Sequence, residues 1–292
     1  MVIINGSCYC ARIVRFTENL NTCELFDVNT MVSMSRNTDT YQKLLPLLCS
    51  VEHNISDMWK AYLSTESLGS ENADVAEGFR KPLIYTSSVI KSISEYINLG
   101  FSSKNHEVID AYLLAKGITD RCNSILTKCG RCVNFLTEID GFFILANHRH
   151  AINALINSIQ NAILYSPYDC VPTITLSKTS EDGKNFIVFQ IINDSIYFVN
   201  KDVGEKLDIN FDFQRLGLGI PIIKRFAEDA GGSFYHREEN GKVAVGVKIP
   251  EYKAPAGSPL VLEGSGYVYY STGIPDIVEI KMLEAVYFFG NN

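Results

Sequence analysis

The sequence lacks the features of exported, membrane-spanning and nucleic-acid-binding proteins. No apolar run approaches the ~20 residues that a helix needs to cross a bilayer, and the first residues lack the basic and apolar segments of a signal peptide. The 33 acidic residues outnumber the 26 basic ones, and the resulting net charge of −7 argues against a general nucleic-acid or anionic-membrane surface. We therefore expect a cytoplasmic protein with no nucleic-acid partner and no membrane insertion.

The eight cysteines do not form a disulfide framework. They are scattered along the chain, which favours reduced thiols in a cytosol. Cys129 and Cys132 form a C-x-x-C motif that could be redox-active or half of a zinc site. A second pair at ligand spacing is missing, because Cys8 and Cys10 lie too close together. Ordinary thiols are therefore the favoured interpretation.

Periodicity divides the chain into four segments. Residues 1–37 predict a β-hairpin extension, and residues 38–102 predict a helical hairpin. Its first helix carries an apolar stripe, consisting of Leu44, Leu47, Leu48, Val51, Ile55, Met58, Trp59 and Tyr62. The second helix is predicted from near Pro82 to Gly100, after a turn over residues 65–78. Because one hairpin buries little apolar surface, we expect two copies to pair in a four-helix bundle.

The remaining residues predict an α/β unit at 103–250 and a β-rich extension at 251–292. The α/β unit is expected to contain helices near 107–126, 148–165 and 218–230, and strands near 132–138, 141–146, 172–177, 185–193, 233–237 and 243–249. In the extension, residues 277–289 read as a strand. The predicted fold class is α+β.

Two motifs in the α/β unit point to a nucleotide site. Asn157 and Asn161 lie one turn apart on one helix face. Gly217 and Gly219 open the next helix, where bare backbone N–H groups can hold a phosphate. In this order and spacing the motifs resemble the ATP-binding domain of sensor histidine kinases, in the wider GHKL superfamily. The resemblance covers residues 105–250 well and residues 38–102 by architecture only.

The resemblance implies a helical hairpin that dimerises as a four-helix bundle, followed by a GHKL-type α/β sandwich with a mixed sheet and helices on one face. It implies ATP and Mg²⁺ as cofactors. Asn161 then takes the position of the Mg²⁺ ligand, and Asn157 that of a residue positioning the reactive phosphate. Gly217 and Gly219 belong to the phosphate loop, and Asn193 replaces the aspartate that binds adenine.

The chain departs from the kinase pattern at several of these positions. Leu164 stands where kinases usually carry a lysine or arginine facing the phosphates, and loss of that cation lowers affinity or rate. In kinases the adenine-binding aspartate begins a D-x-G-x-G motif. After Asn193 both glycines of this motif are missing, and the β-branched Ile196 resists a turn with positive φ. We therefore expect ATP binding to be weakened or lost.

His53 is the candidate phosphoacceptor, because it is the one histidine of the predicted hairpin and lies off the apolar stripe. Asp57, one turn later, could orient its ring or act as a base. The proline that usually follows the kinase histidine is absent. A rival alignment places Glu77 at the histidine position, which describes a pseudokinase.

Three functions remain open at this level. The first is a dimeric histidine phosphotransferase that exchanges phosphoryl groups between His53 and the aspartate of a response-regulator receiver domain. The second is a soluble ATP-dependent sensor histidine kinase. The third is a non-catalytic pseudokinase scaffold.

Overall fold

The computed structural model describes residues 2–4, 7–17, 20–27, 38–66, 73–101, 106–137, 141–194, 218–253 and 275–287. The chain divides into two compact units. The first unit comprises Met1–Phe101 and Ile209–Leu218, and the second comprises Ser102–Asp208 and Gly219–Asn292. Among the described helices, none has an apolar stretch long enough to cross a membrane.

The first unit begins with a three-stranded antiparallel sheet. Its strands are β1 (Val2–Ile4), β2 (Ser7–Thr17) and β3 (Leu20–Asp27), in the order β1-β2-β3. The predicted hairpin is the β2–β3 pair, in which Ile13 lies opposite Cys23. The additional strand β1 pairs with β2 through Ile3 and Cys8.

Two long helices follow in the first unit, α1 (Thr38–Glu66) and α2 (Ala73–Phe101). The prediction that the second helix starts near Pro82 is wrong, because α2 begins nine residues earlier and contains Pro82 in its interior. Residues 73–81 include alanine, glutamate, arginine and lysine, which favour helix and extend it upstream of the proline.

The two helices of this hairpin run antiparallel. Trp59 Nε1 donates to Ser87 Oγ at 2.9 Å, and Ser94 Oγ donates to Glu52 Oε1 at 2.7 Å. From the Glu52–Ser94 pair to the Trp59–Ser87 pair, the chain advances seven residues on α1 and goes back seven residues on α2. The predicted apolar stripe of α1 is buried at Leu48, Ile55, Trp59 and Tyr62. Leu47 and Val51 are partly buried, and Met58 is 52% exposed.

In its described residues, the second unit contains a five-stranded mixed sheet and four α-helices. In chain order its elements are β4 (Glu107–Asp110), α3 (Ala111–Leu126), β5 (Asn134–Thr137), β6 (Phe143–Ala146), α4 (His148–Leu164), β7 (Thr173–Glu181), β8 (Lys184–Asp194), α5 (Gly219–Asp229), β9 (Ser233–Glu239), β10 (Lys242–Pro250) and α6 (Ile277–Tyr287). The main sheet has the order β5-β7-β8-β10-β9, and β4 pairs separately with β6.

The one parallel pair of the described strands, β5 and β7, determines the place of α4. Parallel neighbours need a long crossover connection, and the segment between β5 and β7 includes α4. Alternate residues of β8 (Ile187, Phe189 and Ile191) join Ile156, Ile159 and Ile163 of α4 in one apolar core. The apolar side of α4 therefore packs on the sheet, and the polar side chains of α4 contact other elements.

Two element predictions in the second unit are wrong. Glu107–Asp110 is a strand, and α3 starts only at Ala111, because the Asp110 carboxylate caps the helix by accepting from Tyr112 N and Leu113 N at 2.9 and 3.0 Å.

The predicted strand at 277–289 is instead helix α6 over Ile277–Tyr287. Asp276 caps it, since its Oδ1 accepts from Glu279 N at 2.7 Å. The buried apolar residues Val278, Met282 and Ala285 follow helical spacing.

Candidate functional site

The candidate phosphoacceptor lies on the exposed side of α1. The His53 side chain is 73% exposed, as its position off the apolar stripe predicts. Its Nε2 lies 3.4 Å from Asp57 Oδ2, one helical turn later. On the opposite flank, Lys60 Nζ donates to Asp57 Oδ1 at 2.8 Å. The imidazole, carboxylate and ammonium thus form one exposed row.

The Asp57 carboxylate places a negative charge next to the His53 imidazole. The hydrogen bond from Lys60 lowers the pKa of Asp57 below its ordinary value, and the charges of Lys60 and His53 act in the same direction. Asp57 is therefore ionised at neutral pH and can accept a hydrogen bond from the ring. Glu52, the residue before His53, accepts a hydrogen bond from Ser94 of α2. This contact fixes the turn of α1 that presents the histidine.

In the second unit, the polar side chains Asn157, Gln160 and Asn161 form what we call the amide face of α4. Asn147 caps the helix, since its Oδ1 accepts from His150 N at 3.1 Å. Asn157 is 2% exposed, and both ends of its amide have partners. Its Nδ2 donates to Asn153 O at 2.8 Å, and its Oδ1 accepts from Lys281 Nζ at 3.0 Å.

The glycine that opens α5 lies against this face. A Cβ added at Gly219 would lie 3.1 Å from Asn161 Nδ2 and 3.7 Å from Asn157 Oδ1. The structure therefore brings Asn157, Asn161 and Gly219 together, although their motifs are about fifty residues apart. Gly217 lies outside the described residues.

Asn193 lies near the end of β8 and is buried. Its side chain continues the buried alternation of Ile187, Phe189 and Ile191 along β8. Its Nδ2 donates to the backbone oxygen of Asp194 at 2.9 Å. One amide hydrogen is thus used locally, which leaves the carboxamide oxygen as the possible acceptor for a ligand.

Helix α6 covers the amide face, a feature that the sequence did not reveal. Lys281 is 1% exposed, and its ammonium reaches Asn157. Gln160 Nε2 donates to Glu284 Oε2 at 2.5 Å and to Lys281 O at 3.3 Å. Nearby, Arg121 of α3 reaches Glu279 Oε2 at 3.3 Å. Polar contacts along the length of α6 thus fix its register on α3 and α4.

These residues do not fit ATP–Mg²⁺ while α6 is docked. Mg²⁺ prefers several oxygen ligands and retained waters, whereas the amide face meets an ammonium that takes the oxygen of Asn157. Leu164 belongs to the same stripe of α4 and is 1% exposed, in the core that also contains residues of α6. The position that carries a cation in kinases is therefore an apolar packing position here.

Metal-ligating side chains elsewhere in the described part of the chain do not cluster. No group of three or more histidine, cysteine or acidic side chains in the described residues could hold a metal ion. Cys129 and Cys132 are free thiols. The turn between them is held by Tyr168, whose hydroxyl donates to Cys129 O at 2.9 Å. The C-x-x-C motif thus forms part of a fixed turn.

A second histidine group joins three elements at the other end of α4. His106 Nε2 and His150 Nδ1 lie 3.3 and 3.6 Å from the same oxygen, Asp229 Oδ2. Burial lowers the pKa of His150, although the neighbouring Asp229 acts in the opposite direction. A buried neutral imidazole is therefore part of this junction at neutral pH.

Comparison with known proteins finds related folds but no related sequence. No family model and no curated protein matches the chain. Full-length ShkA, solved in complex with AMPPNP, matches with a TM-score of 0.53 and 17% identity over 72% of this chain. The match covers 47% of the ShkA chain, so this protein spans about half of that length.

Two histidine kinases give weaker matches. AdeS of Acinetobacter baumannii has a TM-score of 0.43 and 14% identity, covering 69% of this chain and 97% of its own. The nucleotide-free catalytic domain of ThkA has a TM-score of 0.40 and 18% identity, covering 50% of this chain and 96% of its own. At these identities the likeness describes the fold alone.

Proposed function

We propose that this chain, which has the histidine-kinase-like GHKL fold, is a dimeric histidine phosphotransferase of a two-component phosphorelay. His53 takes a phosphoryl group from the aspartyl phosphate of a response-regulator receiver domain and passes it to a receiver aspartate. The observation that carries this proposal is the exposed His53 ring beside the ionised Asp57.

The reaction needs a nucleophile that a second protein can reach. A ring nitrogen of His53 attacks phosphorus, the N–P bond forms, and the P–O bond to the receiver carboxylate breaks. Positive charge builds on the imidazole in this step, and Asp57 stabilises it by accepting a hydrogen bond. The phosphoramidate is itself reactive, so the reverse transfer requires no ATP. This agrees with an amide face on α4 that does not fit ATP–Mg²⁺.

The surface of the helical hairpin supports the dimer. Met58 of α1 and Phe79 of α2 are 52% and 63% exposed. A two-helix hairpin buries little apolar surface by itself, and pairing with a second hairpin is a common way to cover its exposed apolar side chains. A second copy of the hairpin would bury them in a four-helix bundle and leave each His53 accessible to a receiver.

Transfer of radiolabel tests the proposal. Receiver domains labelled with acetyl [³²P]phosphate are mixed with the full chain, and acid-labile, base-stable label is followed on the protein. We expect label on the wild type and none on His53→Gln. The matched variant His236→Gln, which changes an exposed histidine of the second unit, should label normally. Asp57→Asn should slow transfer by roughly tenfold or more.

Two other results would replace the proposal. Label that arises on His53 from ATP–Mg²⁺ without a receiver would identify an autophosphorylating kinase. A chain that accepts label from neither source, tested against a full set of receivers, would act as a scaffold.

A further inference from the structure

Helix α6 combines apolar and charged contacts on its buried side. Val278, Met282 and Ala285 join the core of the second unit, while Lys281 and Glu284 meet the amide face of α4. Charged residues are rarely buried unless they are paired. Both are paired here with amide side chains that the helical spacing of α4 places on one stripe.

We propose that α6 is an intramolecular occupant of the amide face and excludes nucleotide from α4. This inference rests on the proposed function only in taking the amide face as the nucleotide site of the fold. It adds a specific mechanism by which ATP would be kept out: the chain places its own Lys281 side chain at Asn157, where ATP–Mg²⁺ would otherwise approach.

The contact between Lys281 and Asn157 supports this assignment. Lys281 Nζ donates to Asn157 Oδ1 at 3.0 Å and occupies that acceptor. A divalent cation at the same face would lack this amide oxygen as a ligand. A nucleotide could enter only by displacing the buried Lys281 side chain.

The shape of the face points to the same occupant. Leu164 lies in the core that also contains Val278, Met282 and Ala285 of α6, and Gln160 donates to Glu284 of the same helix. At the beginning of α6, Asp276 and Glu279 bind Arg121 of α3. The helix is thus held at both ends of its length, and its register places Lys281 on Asn157.

Linkage gives the expected size of the effect. If nucleotide binds only when α6 is undocked, its apparent dissociation constant is the intrinsic constant divided by the undocked fraction. Wild-type chain should therefore bind AMPPNP–Mg²⁺ weakly or not at all. Undocking α6 should strengthen binding by about tenfold or more.

Lys281→Glu is the variant that tests the inference in the full chain. The new carboxylate would face Glu284 and the Asn157 oxygen, so α6 should leave α4. Amide hydrogen exchange over residues 277–287 should accelerate, and calorimetry should show tighter binding of AMPPNP–Mg²⁺. The matched variant Lys128→Glu makes the same charge change at an exposed position and should alter neither measurement.

Gln160→Glu provides a milder second variant if Lys281→Glu does not fold. Its carboxylate would repel Glu284 without changing the size of the side chain. Faster exchange of α6 with unchanged nucleotide affinity in both variants would overturn the inference. So would AMPPNP–Mg²⁺ binding to the wild type with exchange of α6 unchanged. Phosphoryl transfer to His53 is measured separately with labelled receivers, so failure of either proposal is recognised independently.

Discussion

Replacing Ser87 with alanine should weaken the helical hairpin that presents His53. The Ser87 hydroxyl accepts from Trp59 Nε1 at 2.9 Å and donates to Leu83 O at 2.7 Å, and both bonded side chains are buried. Alanine leaves the indole N–H without this acceptor, which costs about 1–3 kcal/mol. Part of this cost is offset, because alanine favours helix by up to about 0.5 kcal/mol over serine. We expect a net loss of about 1–2 kcal/mol.

Tryptophan fluorescence provides a direct assay, because Trp59 is the single tryptophan of the chain. Urea unfolding at fixed protein concentration should show a midpoint lowered by roughly 0.3–2 M, for a slope of about 1–3 kcal/mol per M. Ser92→Ala is the matched control, since it removes a hydroxyl of the same helix that donates to Ser88 O at 2.8 Å, a bond within α2. Equal midpoints for Ser87→Ala and wild type would refute the role given to the indole–hydroxyl contact.

Two further predictions concern the second unit and its pH dependence. Gly232→Ala should destabilise that unit by about 2–3 kcal/mol, because the new Cβ would lie 2.1 Å from Lys248 O. Thermal unfolding followed by circular dichroism measures this loss. The control Gly78→Ala should be tolerated, because its Cβ would have no neighbour within 4 Å. Burial lowers the pKa of His150 in the folded protein despite the neighbouring Asp229. His150 therefore binds a proton more readily in the unfolded chain than in the folded one. Wild-type stability should therefore fall as pH drops below about 6.5, and His150→Gln should flatten this fall; identical pH profiles for the two proteins would contradict the assignment.

Helical and strand periodicity predicted most elements of the second unit, because a half-buried element repeats its apolar residues at a fixed step. Along β8, for example, Ile187, Phe189 and Ile191 alternate, and the same step of two puts Asn193 on the buried side. The start of α2 was missed for a different reason: Pro82 resembles a first-turn proline, but the surrounding residues favour helix strongly enough to include it.

Helix α6 could not be recognised as part of the site, although local signals for a helix exist. Its β-branched residues Ile277, Val278 and Ile280 favour strand, while the cap at Asp276 and the spacing of the apolar residues favour helix. Its most informative contact, Lys281 with Asn157, joins residues 124 positions apart. No local pattern encodes such a pairing, so only the folded chain reveals that the amide face is covered.

The long sequence separations around α6 also determine the order of assembly. The hairpin of α1 and α2 closes over a short connection, whereas Arg121 and Asp276 are 155 positions apart. Local contacts form early and distant contacts form late, because loop closure costs more entropy as the separation grows. We therefore expect the histidine-bearing hairpin to fold first and α6 to dock last, so that every newly made chain passes through a stage in which Asn157 is still accessible.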